Sequence, residues 1–120
     1  MMITIYTSYF GAPGIRACPE AVSIARWSPR WWGKGRRYLP LAPEAELLRL
    51  YRDGNIDWPN YQEWYWSQLD LLDPVAVAQE LSGKILCCWE KDAKHCHRRI
   101  VADWLSLSLG ITLLELSKVP

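Results

Sequence analysis

The thirteen residues Cys87–Arg99, CCWEKDAKHCHRR, hold three of the four cysteines of this 120-residue chain and both of its histidines. Thiol and imidazole groups gathered this closely could serve nucleophilic, redox, metal or anion-binding chemistry. If Cys96 opens a helix, orphan backbone amides and the helix dipole favour its thiolate, and Arg98 acts in the same direction. Cys96 is therefore a candidate nucleophile. His97 is a candidate base or phosphate donor and Glu90 a third catalytic candidate, with Cys88 and Arg98 beside them as binding groups. Successive helical residues diverge by roughly 100°, so Cys96 and His97 need not touch. His97 also lies three residues before Ile100, on the apolar stripe, where a histidine bonded to a backbone carbonyl is an equally good reading.

Two other chemistries fit less well. Cys88, Cys96 and His97 give at most three zinc ligands with none of the usual paired spacing, and Cys18 would have to supply a distant fourth. No metal or other cofactor is expected. A cysteine phosphatase or sulfurtransferase loop needs an arginine about six residues after the cysteine, and six after Cys88 stands Lys94.

A second constellation interleaves cations with aromatic rings: Arg26, Trp27, Arg30, Trp31, Trp32, Lys34, Arg36, Arg37 and Tyr38. Cations meet phosphates while aromatic faces stack on bases, so Arg26, Trp27 and Arg30 are binding candidates for a nucleotide or single-stranded nucleic acid. The alternative is packing, because eight tryptophans in 120 residues cannot all be functional.

The elements that must position these groups read as an α/β chain. Ile3–Thr7 alternates as a first strand, and Ala21–Trp27 reads as a second, so that Arg26 ends it. Leu47, Leu50 and Tyr51 share a helical face after Pro43, with Gly54 as a stop. A second helix is predicted over 59–72, with Tyr61, Trp64, Tyr65 and Leu69 on one face. Asp73 and Pro74 open a third, ending before Gly83. Lys84-Ile85-Leu86 starts a buried strand that runs to about Trp89. The last helix begins between Asp92 and Cys96 and stops at Gly110, and Ile111–Leu116, apolar but for Glu115, reads as a final strand. The expectation is one α/β domain over 1–120: a small Rossmann-like, mainly parallel sheet flanked by helices, with a helical insertion between the second and third strands. Cys87 and Cys88, adjacent on a strand, must face opposite sides of the sheet. The cysteine cluster falls at a strand's carboxyl end, where open α/β sheets bind ligands.

Half the residues are apolar and the net charge is only +1, which excludes a disordered or generally basic chain. The charge is unevenly placed. Residues 1–40 carry six basic and one acidic group, 41–80 two and eight, and 81–120 six and four. Either the basic ends face an anionic partner or the acidic middle lies across them. Met1–Thr7 lacks the pattern of a signal peptide, and no apolar run could span a bilayer, so a cytoplasmic protein without membrane contact is expected. In that compartment the cysteines would be thiols, ligands or core residues rather than a disulfide framework.

Cys88-Trp89-Glu90, then Cys96-His97-Arg98-Arg99 leading into Ala102-Asp103-Trp104-Leu105, resembles the C-terminal motif of the domain of unknown function 488 family. Ile24–Arg30 resembles that family's second motif, and Tyr61, Tyr65 and Leu69 fall at its helical aromatic and apolar positions. The resemblance implies a compact Rossmann-like domain without an established activity. It further implies that Arg26, Cys88, Glu90, Cys96, His97 and Arg98 gather at one site. The family's usual Asp, one or two residues before the motif arginine, is replaced here by Ala25 or Ile24. Two functions stay open: a nucleotide or nucleic-acid binder with a thiol and histidine site, or a small interaction protein, docking a protein partner, in which the CHR segment is structural.

Overall fold

The computed structural model describes residues 3–120; of the leader reading at Met1–Thr7, Met1 and Met2 lie outside the described residues. Four parallel strands form one sheet in the order β2-β3-β1-β4. They are β1 (Tyr6–Tyr9), β2 (Ala21–Ser23), β3 (Ile85–Cys88) and β4 (Leu114–Glu115). Between β2 and β3 come three helices, α1 (Ala45–Arg52), α2 (Trp58–Leu69) and α3 (Pro74–Leu81), and α4 (His97–Leu109) links β3 to β4. This is the Rossmann-like α/β architecture with its helical insertion. No helix among the described residues is long and apolar enough to cross a membrane.

The local rules place the helix starts within a residue or two, while α2 ends at Leu69, three residues before the expected Leu72. Asp57 caps α2 by accepting from the Asn60 amide, with Pro59 in the first turn. Tyr61, Tyr65 and Leu69 form its buried face. Asp73 caps α3 in the same manner, accepting from the Val75 amide. Gly110 ends α4 in the left-handed conformation, φ 69°, which a side chain would strain.

The two faces of the sheet are covered differently. All four helices pack their apolar stripes on one face, where Ile5, Leu86, Tyr65, Ile100 and Trp104 share a core. On the other face the cover is loop: Phe10, Ile15 and Trp32 close over Ile85 and Cys87. Strand alternation decides which cysteine goes where. Cys87 enters the loop-covered core, where burial pushes its thiol up to about 12, and Cys88 faces α4.

Three strand boundaries differ from the sequence reading. β1 starts at Tyr6 rather than Ile3, and β4 is confined to Leu114–Glu115. β2 ends at Ser23 because the chain turns there: the Ser23 hydroxyl accepts from the Ala25 amide, and the Ser28 hydroxyl donates to it at 2.7 Å. Arg26 therefore sits in the loop after β2 instead of ending a strand.

Candidate functional site

At the carboxyl end of β3 the chain makes a short loop, one turn of 3-10 helix over Ala93–His95, and enters α4 with Cys96 as its N-cap. Arg98, in the first turn, is fully buried. A guanidinium without water must spend its donors on protein, and this one does. Its Nε and Nη2 donate to the Glu115 carboxylate at 3.0 and 2.8 Å. Nη2 also reaches the Lys91 carbonyl at 3.0 Å, and Nη1 reaches the Glu90 carbonyl. Nη1 contacts both sulfurs as well, Cys88 Sγ at 3.0 Å and Cys96 Sγ at 3.2 Å.

The same fold brings those sulfurs together: the Cys88 and Cys96 Sγ atoms are in contact, with Cα atoms 7.5 Å apart, wider than a relaxed disulfide spans. The pair is a local contact across the strand-to-helix loop, while Cys18 and Cys87 are free and buried. Cys88, Cys96 and His97 bring their ligand atoms within 4.8 Å of one another. The donor set suits a cation poorly, because a permanent positive charge, Arg98, already lies against both sulfurs, and Cys18 packs in the core on the other face.

His97 is buried, and its Nε2 lies 2.9 Å from the Ile24 carbonyl, which fixes Nε2 as the protonated nitrogen of a neutral ring. Tyr65 meets that ring edge-on at 5.6 Å. Burial first, and Arg98 second, lower the His97 pKa to about 4 against the bond to Ile24, so the ring is neutral near pH 7. His97 thus sits on the apolar stripe and holds the loop after β2 against α4.

In front of this buried assembly lies a pocket of ≈ 430 Å³. Cys96 and His97 line it, as do Glu90 and His95 from the loop before α4 and Ala25, Arg26 and Trp27 from the loop after β2. The helical insertion supplies the opposite wall through Tyr51, Arg52, Trp58 and Tyr61. Trp58 and Tyr61 stack at 5.0 Å with planes 14° apart, and His95 leans on Trp58 at 5.0 Å. Burial, with Glu90 and Tyr51 adding, pushes the Tyr61 phenol well above its usual range, so it stays an O–H. Trp89 closes the rim by donating its indole N–H to the Trp27 carbonyl at 2.7 Å.

Of the residues singled out in the sequence, Arg26, Trp27, Glu90, Cys96 and His97 therefore share one pocket. Cys88 and Arg98 lie buried behind it. Arg30 is exposed and outside the lining. Arg26 spends Nε and Nη2 on the Pro43 and Ala42 carbonyls, at 3.0 and 3.2 Å, so it braces the insertion as well as lining the pocket. Ala25, where the resemblance would place an Asp, contributes only a methyl to the lining.

Sequence reasoning missed Glu115 and the Trp58–Tyr61 wall. A lone carboxylate in an apolar final strand was the available signal for Glu115. The helical period places Tyr61 on the apolar face, and nothing in that period marks a residue that also faces a pocket.

Comparison with family models decides the kinship. The chain belongs to the DUF488 family. The matching model, described as the active DUF488-N3 subclade, covers residues 15–109 and so includes both motifs and the whole pocket, though not Glu115. Among curated proteins and among solved structures there is no match.

Two outcomes follow from the buried charges. Arg98→Met should cost about 3 kcal/mol in urea denaturation, since it strands the Glu90 and Lys91 carbonyls and removes the partner of Glu115; Glu115 is partly exposed, which keeps the loss at the lower end of buried-pair values. A loss under about 0.5 kcal/mol would contradict the assignment. For His97 the folded pKa lies below the unfolded value, so the unfolded chain binds the extra proton between about 4 and 6.5. Stability should be full above about 6.5 and fall as pH drops toward about 4, by up to about 1.4 kcal/mol per pH unit. His97→Gln should flatten that slope; an equal slope in both proteins would show that His97 is not the group titrating.

Proposed function

We propose that this DUF488 domain binds a nucleotide in the aromatic pocket and presents the Cys96 thiol to it as a nucleophile. The observation that carries the reading is the lining itself: a stacked indole and phenol on one wall, Arg26 and Arg52 among the cations, and a cysteine in the same cavity. A volume of ≈ 430 Å³ lies in the range of small-ligand sites. Flat aromatic walls favour a planar base, and the two arginines favour a phosphate. Arg98 would act behind the site by holding a Cys96 thiolate against its guanidinium, and the α4 N-terminus adds the same sign of field. Glu90, at the mouth, offers a carboxylate to a ring N–H or to a proton-transfer step.

The complete engagement of Arg98 favours a second reading, an interaction protein in which the CHR segment is structural. Cys96→Ser separates them. Intact thermal stability with loss of thiol reactivity in the pocket supports the nucleotide enzyme, whereas lost stability with no change in ligand binding supports the structural role.

The binding half is tested by titrating mononucleotides at low salt and following tryptophan fluorescence. Quenching that saturates is expected, with Trp58→Ala weakening affinity by about tenfold, the value of one lost base stack. Absence of saturable quenching by any of the common mononucleotides would overturn the nucleotide assignment.

A further inference from the structure

The loop that covers the second face of the sheet carries charge that the fold does not use. Between Glu20 and Glu44 there is no acidic residue, five of the six basic residues of the first forty lie from Arg26 to Arg37, and the sixth, Arg16, contacts that stretch. Some are structural. Arg36 donates to the Ala21, Ile15 and Arg16 carbonyls while lying over the Trp32 ring, and Arg37 donates to the Arg26 carbonyl. Arg16, Arg30 and Lys34 are exposed and enter none of the ion pairs of the described residues. Nor does any of those ion pairs join the acidic middle of the chain to its basic ends. Internal complementarity therefore does not account for the charge asymmetry.

Aromatic rings connect this charge to the pocket. Trp89, on the pocket rim and 55% exposed, packs edge-on against Phe10 at 5.0 Å; Phe10 packs on Trp32 at 4.9 Å, and Trp32 on Trp31 at 5.5 Å. Trp32 and Phe10 are buried, so the row is anchored in the core. Its ends are not: Trp31 is 39% exposed and lies under the Arg16 guanidinium at 5.1 Å, and Trp27, beside Trp89, is 60% exposed. Three large rings held out to solvent on a rigid base, in a face whose loops also carry the exposed Arg16, Arg30 and Lys34, form a stacking platform with charges for a phosphodiester backbone. A free nucleotide would need only the pocket.

Resting on the nucleotide reading of the pocket, we infer that the ligand is a single-stranded nucleic acid, of which one nucleotide enters the pocket while its neighbours stack along Trp27 and Trp31 with their phosphates against Arg30, Lys34 and Arg16. The platform is too tied to exposed ring faces to suit a duplex, whose bases are already stacked on one another.

The test is fluorescence anisotropy on the full chain with a labelled twelve-residue oligothymidylate, the matching oligouridylate, the same DNA as a duplex, and thymidine monophosphate as competitor. Either single strand should bind at least about tenfold more tightly than the monophosphate and than the duplex, and weaken with added salt. Trp31→Ala should lower oligonucleotide affinity about tenfold, and Arg30→Ala should reduce the salt slope by about 0.7, one phosphate's share on a single strand, while neither changes monophosphate affinity. Oligonucleotides that bind no better than the monophosphate, or bind both variants as they bind the unaltered chain, would overturn this inference and leave the pocket assignment standing. A duplex bound as tightly as the single strands would overturn it too. Loss of all binding, monophosphate included, would remove the pocket assignment with it. Near-ultraviolet circular dichroism guards the Trp31→Ala comparison against misfolding, and Arg30→Ala, which touches no packed ring, carries the test independently.

Discussion

The buried guanidinium of Arg98 is the constraint around which the site is arranged. Taking a permanent charge out of water costs several kcal/mol even after relaxation, and only a full set of partners offsets it. Those partners come from four separate pieces of chain: the end of β3 through Cys88, the following loop through the Glu90 and Lys91 carbonyls, the start of α4 through Cys96, and β4 through Glu115. Satisfying one side chain therefore bends the Trp89–Cys96 segment around it. That bend sets Glu90 and His95 at the pocket mouth and turns Cys96 into the lining. Glu115 is held in turn by the Thr7 hydroxyl at 2.7 Å, so the network ends on β1, at the middle of the sheet.

The pocket needs a second, independent constraint. The helical insertion must sit against α4 closely enough to give an opposite wall, and His97 and Arg26 hold the intervening loops. His97 ties α4 to the loop after β2 through Ile24, and Arg26 ties that loop to the Ala42 and Pro43 carbonyls just before α1. Gln68 on α2 donates to the same Ala42 carbonyl at 2.7 Å. The two residues most readily taken for catalytic or phosphate-binding groups thus also fix the shape of the cavity.

What the sequence made legible was local. The period of Tyr61, Tyr65 and Leu69, the Asp73-Pro74 start and the stop at Gly110 each act within a turn or two of helix, and strand alternation separated Cys87 from Cys88. The parallel order followed from the alternation of element types. What it hid was set by distant chain. An arginine in the first turn of a helix reads as an anion contact unless β4 is known to lie beside β1 and to carry Glu115 there. The meeting of Cys88 and Cys96 depends on the loop reversing around Arg98, which no spacing rule encodes. β2 stops at Ser23 because Ser28 returns to bond it, and the Trp31-Trp32 pair divides into a core ring and an exposed one only once Phe10 is in place.

The central claim of the proposed function is that Cys96 is a thiol held beside Arg98 and facing a pocket that takes a nucleotide. Iodoacetamide labelling of the reduced protein across pH, with the modified cysteine mapped by mass spectrometry, tests it most directly. The account predicts that Cys96 reacts first and that saturating mononucleotide protects it. Labelling that falls first on Cys18 or Cys87, or that no mononucleotide affects, would contradict it.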